Sequence, residues 1–197
     1  MIKTIPPSQF KQIPWKNGKG VTTELAISEG GSISQFDWRL SIASVTEDGA
    51  FSDFSGYERN LILIEGNGIN LKHTQDDAPV KVDRLASILD FANFDGGWRT
   101  EGQLHDGSIK DLNLMTSKEK YHCQIETWVE QQSKGFKLGK LNFLFSLSES
   151  IQLLTSDKSN DMELPPQHLA IIDSEEIGDL VVTGSEVVFI TLNEKRL

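Results

Sequence analysis

The sequence predicts an all-β fold of the sandwich or barrel type. Short stretches of alternating or continuous apolar residues recur along the chain, and Gly, Asn, Asp and Ser residues separate them. No stretch carries the sustained 3.6-residue apolar stripe and the capping residues that a helix needs. Many short strands in a chain of 197 residues favour packed sheets or a closed barrel.

The strand pattern can be placed segment by segment. We expect strands at 21–28, 38–45, 61–65, 69–73, 87–91, 108–115, 121–130, 136–145, 151–155, 169–173 and 186–192. Segments 117–120 and 173–177 are short enough for single helical turns only.

Two segments repeat one theme of an apolar strand, a tight acidic or glycine-containing turn, and a second apolar strand. They are LILIEGNGINL at 61–71 and HLAIIDSEEIGDLVV at 168–182. Two related half-barrels would explain the likeness, and two chance hairpins explain it equally well. No low-complexity linker separates the halves, so we expect one compact unit over 1–197, with halves near 1–115 and 116–197.

Composition excludes several classes of partner. The net charge of −10, without a cluster of Lys and Arg, argues against nucleic acid. No apolar run approaches the roughly 20 residues of a membrane-spanning helix, so we expect no membrane partner. Cys123 is the single cysteine, which rules out an intramolecular disulfide and fits a reducing cytoplasm. A homo-oligomer is compatible with the sequence, and nothing in it requires one.

The segment at 13–27, IPWKNGKGVTTELAI, contains the first candidate site. Lys16, Asn17 and Gly18 form a turn in which backbone N–H groups could approach a ligand, although a plain hairpin is the simpler interpretation. In the strand that follows, Thr22 and Glu24 share a face opposite an apolar face.

Two later strands also have a polar face. Arg39 and Ser41 alternate with Trp38 and other apolar residues at 36–45. Asp111, Asn113 and Met115 share a face at 108–115. If these faces point into a barrel they form a polar binding site, and if they point outward they are solvated surface; the sequence leaves both alternatives open.

Arg59 lies where the turn at Gly56 leads into the apolar strand 61–64. A lone Arg at a strand end is usually a surface residue. Its planar guanidinium would suit bidentate binding of a carboxylate if it faced a pocket.

Motifs for the common enzyme classes are missing from the sequence. The four histidines are scattered, with no His-x-His and no carboxylate at metal-ligand spacing. There is no Gly-x-Ser-x-Gly elbow, Walker loop or dinucleotide fingerprint. We therefore expect no metal and no cofactor.

Three segments together resemble the HutD/Ves family, whose members adopt a double cupin fold. They are PWKNGKGVTTELA at 14–26, FDWRLSIASVTEDGAFSDFSGYERNLILIEGNGINL at 36–71 and FDGGWRTEGQLHDGSIKDLNLM at 94–115. The resemblance implies an all-β bicupin of two jelly-roll half-barrels, without the metal ligands of enzymatic cupins, that binds a small acid of histidine utilisation such as N-formylglutamate or urocanate. The ligand-binding residues that it implies are Lys16, Asn17, Gly18, Thr22, Glu24, Trp38, Arg39, Ser41, Arg59, Glu65, Asp111, Asn113 and Met115.

Three functions are compatible with these residues. The favoured one is metal-independent binding of a small polar or anionic metabolite rather than catalysis. The second is a metal-independent enzyme in which Glu24, Glu65 or Asp111 acts as a general base near Arg59 or Lys16. The third is a regulatory module that binds a protein partner.

Overall fold

The chain folds almost entirely into β-strands in the computed structural model, which describes residues 1–15, 20–75, 79–156 and 158–195. The all-β prediction is therefore confirmed. The strands within these residues are β1 (Ile2–Ile5), β2 (Lys11–Pro14), β3 (Gly20–Ile27), β4 (Trp38–Val45), β5 (Gly49–Ala50), β6 (Tyr57–Glu65), β7 (Ile69–Thr74), β8 (Lys81–Leu85), β9 (Phe91–Asp95), β10 (Arg99–Leu104), β11 (Ile109–Ser117), β12 (Tyr121–Trp128), β13 (Gln132–Phe136), β14 (Leu141–Ser146), β15 (Ile151–Thr155), β16 (Met162–Leu164), β17 (Leu169–Asp173), β18 (Leu180–Gly184) and β19 (Val187–Glu194). Two short 3-10 turns, Pro7–Gln9 and Ser174–Glu176, accompany them.

The strands divide into two compact units. The N-unit is Lys11–Lys120, and the C-unit is Met1–Phe10 together with Tyr121–Leu197. The expected division near residue 115 thus lies five residues before the observed one. The first ten residues join the C-unit because β1 pairs with β17, with Ile2 opposite Ile172 and Ile5 opposite Leu169.

Each unit consists of two antiparallel sheets. In the N-unit the strand orders are β2-β3-β4-β11-β6-β9 and β5-β10-β7-β8. In the C-unit they are β1-β17-β14-β19-β12 and β13-β18-β15-β16.

The two units repeat one topology. Reading from β4, the order β4-β11-β6-β9 corresponds to β12-β19-β14-β17, and β5-β10-β7-β8 corresponds to β13-β18-β15-β16. Each strand from β4 to β11 thus has its counterpart eight strands later. The two segments whose likeness suggested a repeat, β6–β7 and β17–β18, are not counterparts, because β17 and β18 correspond to β9 and β10.

Each unit has its own apolar core between its sheets. The N-unit core contains Leu61, Leu63, Ile69, Leu71 and Ile109 among other residues. The C-unit core consists of Trp128, Phe136, Leu144, Ile151, Leu153, Leu164, Ala170, Ile172, Ile177, Leu180, Val182, Val187 and Phe189.

Two of the predicted strands were placed wrongly. Residues 87–90 form a turn before β9, because the Asp90 carboxylate accepts hydrogen bonds from the backbone N–H groups of Ala86 and Ser87, both at 2.8 Å. The segment 136–145 spans the end of β13 and most of β14, which lie in different sheets and are joined by residues 137–140. The Asn142 side chain holds this connection by bonding the N–H and the carbonyl of Gly139 at 2.9 and 3.0 Å. The single helical turn expected at 173–177 is confirmed.

None of the helical turns in the described residues is long and apolar enough to cross a bilayer.

Candidate functional site

A row of polar side chains lies on the inward face of the N-unit's larger sheet. Side chains alternate along a strand, so residues on β11 that share the face of the core residue Ile109 are Asp111, Asn113 and Met115. On β4 the residues opposite them are Arg39 and Ser41, since Met115 pairs with Arg39 and Asn113 with Ser41. The polar faces predicted for these two strands are therefore buried, not solvated.

Arg39 is held by a direct ion pair with Glu24. The Arg39 Nε atom lies 2.7 Å from Glu24 Oε2, and only 4% and 15% of the two side chains are exposed. The Arg39 Nη2 atom is also buried but has no hydrogen-bond partner among the described residues. One donor of this guanidinium is thus left for another group.

Arg59 lies among aromatic rings on β6, directly opposite Met115. Its guanidinium carbon is 5.1, 5.6 and 5.4 Å from the ring centres of Phe51, Phe54 and Phe94. Nη1 donates a long hydrogen bond of 3.5 Å to the Ser52 carbonyl, and Nε has no partner among the described residues. The rings favour the cation through their quadrupoles and also fix its plane.

Burial lowers the pKa of Arg59, but the side chain keeps its positive charge at neutral pH. Burial lowers the pKa of Arg59 to about 10, while the negative charge of Asp111 opposes this effect and the positive charge of Arg39 adds to it. The guanidinium therefore remains a cation at neutral pH.

Asp111 is completely buried and only half satisfied. Its Oδ1 atom accepts a hydrogen bond of 3.2 Å from Asn113 Nδ2, and its Oδ2 atom has no partner among the described residues. Burial raises the pKa of Asp111 to about 6, although the charge of Arg59 and the bond from Asn113 both lower it. A carboxyl with this pKa changes its protonation state close to neutral pH.

Four unpartnered polar atoms thus lie on one inward face. Two are donors, Arg39 Nη2 and Arg59 Nε, and two are acceptors, Asp111 Oδ2 and Asn113 Oδ1. Two further unpartnered atoms, on Asn60 and Thr116, belong to residues that alternate with the inward ones. Buried polar groups in proteins nearly always have partners, so the inward set can bind a small molecule carrying complementary groups.

A buried histidine that the sequence reasoning passed over lies on the smaller sheet of the same unit. His73 Nδ1 is 2.9 Å from Thr100 Oγ1, and Nε2 is 3.1 Å from Asp83 Oδ2. Burial lowers the pKa of His73, and the charges of Lys81 and Arg59 act in the same direction, while Asp83 opposes them. His73 is therefore neutral at neutral pH.

The His73 ring adjoins the Arg59 site through Phe94. Its centre lies 4.6 Å from that of Phe94 and 5.8 Å from that of Trp98. The sequence pattern could have identified His73, because it shares one face of β7 with Ile69 and Leu71. All three side chains are buried.

Several predicted site residues lie elsewhere. Glu65 is exposed and pairs with Lys110 at 2.7 Å, because a bulge between Lys110 and Asp111 shifts the register at the end of β6. Trp38 alternates with Arg39 and so points away from the inward face. Thr22, by contrast, shares the inward face with Glu24, because it pairs with Ala43, which is opposite Asp111. Its hydroxyl accepts a hydrogen bond of 2.8 Å from the indole N–H of Trp15.

Lys16, Asn17 and Gly18 lie outside the described residues. The residues that flank their segment are Trp15 and Gly20, joined by a hydrogen bond of 2.9 Å from the Trp15 N–H to the Gly20 carbonyl. Gly20 is opposite Val45, whereas Arg39 is near the other end of β4. The predicted role of the three residues stays a prediction.

A cavity of about 480 Å³ opens at the end of the N-unit strands where Tyr57 and Ser117 pair. Trp98 lines it and also contacts the His73 ring, so the cavity adjoins the polar interior. Among the described residues, none of those predicted to bind a ligand lines this cavity. The other described lining residues are Ser55, Gly56, Thr74, Gln75, Asp95, Gly97, Arg99 and Lys118. We place the site in the interior because unpartnered buried atoms are found there, whereas the cavity is an open recess at the rim.

The described residues contain no cluster of three His, Cys, Asp or Glu side chains that could hold a metal ion. The absence of metal in the purified protein stays a prediction.

Comparison with known proteins gives consistent matches over most of the chain. The model of the family described as HutD matches residues 7–190. An uncharacterized 21.2 kDa protein in the hutC 3' region of Pseudomonas putida is 30% identical over 152 residues, 77% of either chain. Protein Ves of Escherichia fergusonii is 31% identical over 149 residues, which are 73% of this chain and 74% of Ves.

Solved structures match the whole fold. HutD from Pseudomonas fluorescens SBW25, in a formate condition, has a TM-score of 0.81 and 27% identity, with both chains covered completely. Bacterial pirin YhhW of Escherichia coli, in complex with nickel(II), has a TM-score of 0.68 over both complete chains at 8% identity, which shows the fold alone. Such cupin-like neighbours confirm the predicted bicupin fold class.

Proposed function

The chain belongs to the HutD family, and we propose that it is a metal-independent binding protein for a small carboxylate held in the polar interior of the N-unit. The observation that carries the proposal is the set of four unpartnered polar atoms on Arg39, Arg59, Asp111 and Asn113. An unsatisfied buried polar group costs about 1–3 kcal/mol. A ligand that bonds several of these atoms recovers that cost, so the unpartnered atoms favour binding.

The charge distribution supports an anionic ligand. Glu24 neutralises Arg39 directly, whereas Arg59 forms no ion pair with any carboxylate among the described residues. The rings of Phe51, Phe54 and Phe94 hold the Arg59 guanidinium in one orientation, so less entropy is lost when it binds. A carboxylate is the group that the free edge of a fixed guanidinium binds best.

The names of relatives support a role in histidine utilisation. The Pseudomonas putida relative is named for its place in the hutC 3' region, and the Pseudomonas fluorescens structure is named HutD. We therefore propose N-formylglutamate and urocanate as the first ligands to test. We further propose that the protein acts in the cytoplasm, with neither nucleic acid nor membrane as a partner.

The test is a paired measurement of affinity and melting temperature on Arg59 variants. Arg59→Ala should weaken carboxylate binding by about one to two orders of magnitude, because a charge-assisted hydrogen bond contributes roughly 1.5–3 kcal/mol. Arg59→Lys should recover part of the loss, since an ammonium lacks two parallel donors. Arg84→Ala, at an exposed position of β8, is the matched control and should change neither quantity.

Two results would contradict the proposal. One is a large fall in melting temperature in Arg59→Ala with affinity intact, which would assign Arg59 to the stability of the fold. The other is the absence of any heat or thermal shift with a broad panel of small carboxylates.

A second candidate function is catalysis with Asp111 as the general acid or base. The observation in favour is the free Oδ2 atom of Asp111 together with a pKa of about 6. Of the other acids predicted for this role, Glu24 is held by Arg39 and Glu65 is exposed. Product formation from a bound acid that is lost in Asp111→Asn, with binding retained, would establish this function.

A further inference from the structure

The Asp111 carboxyl is in an unusual state for a buried acid. None of its surface is exposed, and the amide of Asn113 bonds only one of its two oxygens. It forms no ion pair with a cation among the described residues, although Arg59 is close enough to affect its charge. A carboxylate enclosed in this way is held as an anion only by nearby charge.

The charged groups that face this interior are nearly balanced before any ligand arrives. Arg39 on β4 is neutralised by Glu24 on β3, and Arg59 on β6 is balanced at a distance by Asp111 on β11. On the smaller sheet His73 is neutral, and the Asp83 carboxylate beside it is paired with Lys81 at 2.8 Å.

A ligand carboxylate bound to Arg59 upsets this balance. It places a second anion beside Asp111 in a region from which water is excluded, and one negative charge is then in excess. Two carboxylates that share a buried site do not both stay ionised, because each raises the proton affinity of the other. Glu24 already accepts a hydrogen bond of 2.7 Å from Arg39, whereas Asp111 has no such cationic partner among the described residues, so Asp111 is the acid that takes the proton.

We propose that the N-unit interior binds a ligand carboxylate together with one proton, which resides on Asp111 and is donated in a hydrogen bond to the ligand. This proposal rests on the proposed function and specifies the protonation state of the complex. The proton comes from solvent and returns to solvent on release. Bonding the Asp111 hydroxyl to the ligand also satisfies the Oδ2 atom that is unpartnered without one.

Proton uptake makes affinity depend on pH in a defined direction. The pKa of Asp111 is about 6 without ligand and should be higher with ligand bound. Between these two values the dissociation constant should rise about tenfold per pH unit, because each binding event must recruit one proton. Below about pH 6 the dissociation constant should level off.

The probe is formate, the smallest carboxylate, titrated into protein whose aspartate carboxyl carbons are ¹³C-labelled. Resonances of the N-unit report the dissociation constant, and the Asp111 carboxyl resonance reports its protonation state with and without formate. Asp111→Asn resembles the protonated form in shape and should bind formate with an affinity independent of pH. Glu65→Gln removes an exposed carboxylate and should leave the pH dependence of the wild type unchanged.

Three outcomes decide between the ideas. A raised pKa of Asp111 in the complex, with an affinity that weakens above about pH 6, supports the proposal. Formate binding with no pH dependence and an unraised pKa overturns the proposal and leaves the proposed function standing. No perturbation of N-unit resonances at any pH from about 5 to 8, even at large molar excess, contradicts both.

Discussion

The interiors of the N-unit and the C-unit differ, although their strands follow the same order. On β11 the inward residues include Asp111 and Asn113, whereas on its counterpart β19 they include Val187 and Phe189. Buried polar side chains do occur in the C-unit, but among the described residues none of its fully buried side-chain atoms lacks a partner. Asn142, for example, bonds the backbone of Gly139 and of Ile172.

The same strand order occurs with a polar interior in the N-unit and with an apolar interior in the C-unit. Both sets of inward residues are compatible with the same sheets, so the strand order does not depend on a polar interior. All the buried side-chain atoms without partners among the described residues belong to the N-unit. We infer that the C-unit interior mainly stabilises the fold. The polar N-unit interior stabilises it less, as is expected of a binding site.

The largest expected effect is in the C-unit. Phe189 is buried, and its ring centre lies 4.0 Å from that of Phe136. Phe189→Ala should lower the free energy of unfolding by about 3–5 kcal/mol, because it removes apolar contacts and leaves a cavity. Chemical denaturation measures this loss. Carboxylate affinity, measured where the variant is folded, should equal that of the wild type. A loss of binding under those conditions would contradict the inference that the C-unit interior serves stability alone.

The next effect concerns the buried ion pair of the N-unit. Glu24→Gln leaves the Arg39 cation without its counter-charge and should cost about 3 kcal/mol of stability. Glu65→Gln, which breaks an ion pair whose side chains are 45% and 64% exposed, should change stability by about 1 kcal/mol or less. Thermal denaturation of both variants side by side is the measurement. Equal losses of stability would mean that the buried ion pair contributes no more to folding than the exposed one.

A pH-dependent effect should come from Asp111. Its pKa is raised in the folded protein, so its contribution to stability is full below about pH 4 and is lost as the pH rises through about 6. Asp111→Asn removes this dependence. The variant should be more stable than the wild type by roughly 2–3 kcal/mol at pH 8 and nearly equal at pH 4, since two pH units correspond to that range. Denaturation at the two pH values is the test, and a variant less stable than the wild type at pH 8 would contradict it.

The smallest effect is optical. Trp98 contacts the ring of His73, whereas Trp38 points away from the inward face. Ligand binding should therefore change the intrinsic fluorescence of the wild type and of Trp38→Phe, and the change should be reduced in Trp98→Phe. A response that persists in Trp98→Phe but vanishes in Trp38→Phe would move the site to the other face of the sheet.

Part of this arrangement could be predicted from the sequence. The alternation of Arg39 with Leu40, and of Asp111 with Leu112, places each pair on opposite faces of a strand whatever surrounds it. The sequence left open which face is inward, because Leu40 and Leu112 are themselves fully buried. Packing against the smaller sheet decides that question, because Ile109, on the face of Asp111, lies in one core with Ile69 and Leu71.

Other features depend on details that sequence patterns do not record. Glu65 leaves the inward face because Ile64 is an extra residue on β6 where it pairs with β11, and the sequence of β6 does not reveal this bulge. The sequence left open whether Arg59 is a surface residue or faces a pocket, because the contacts with Phe51 and Phe94 that bury it form only in the fold. Both outcomes depend on contacts between segments that are distant in the chain.

The pairing of β1 with β17 has a consequence for biosynthesis. Ile2–Ile5 is synthesised before the whole N-unit, whereas its partner strand Leu169–Asp173 is synthesised after it. At about 5–20 residues per second, the nascent β1 segment waits for roughly 10–30 s before it can pair. The chain between them includes the whole N-unit, which can fold during this interval. We expect the N-unit to fold before β1 of the C-unit can pair with β17.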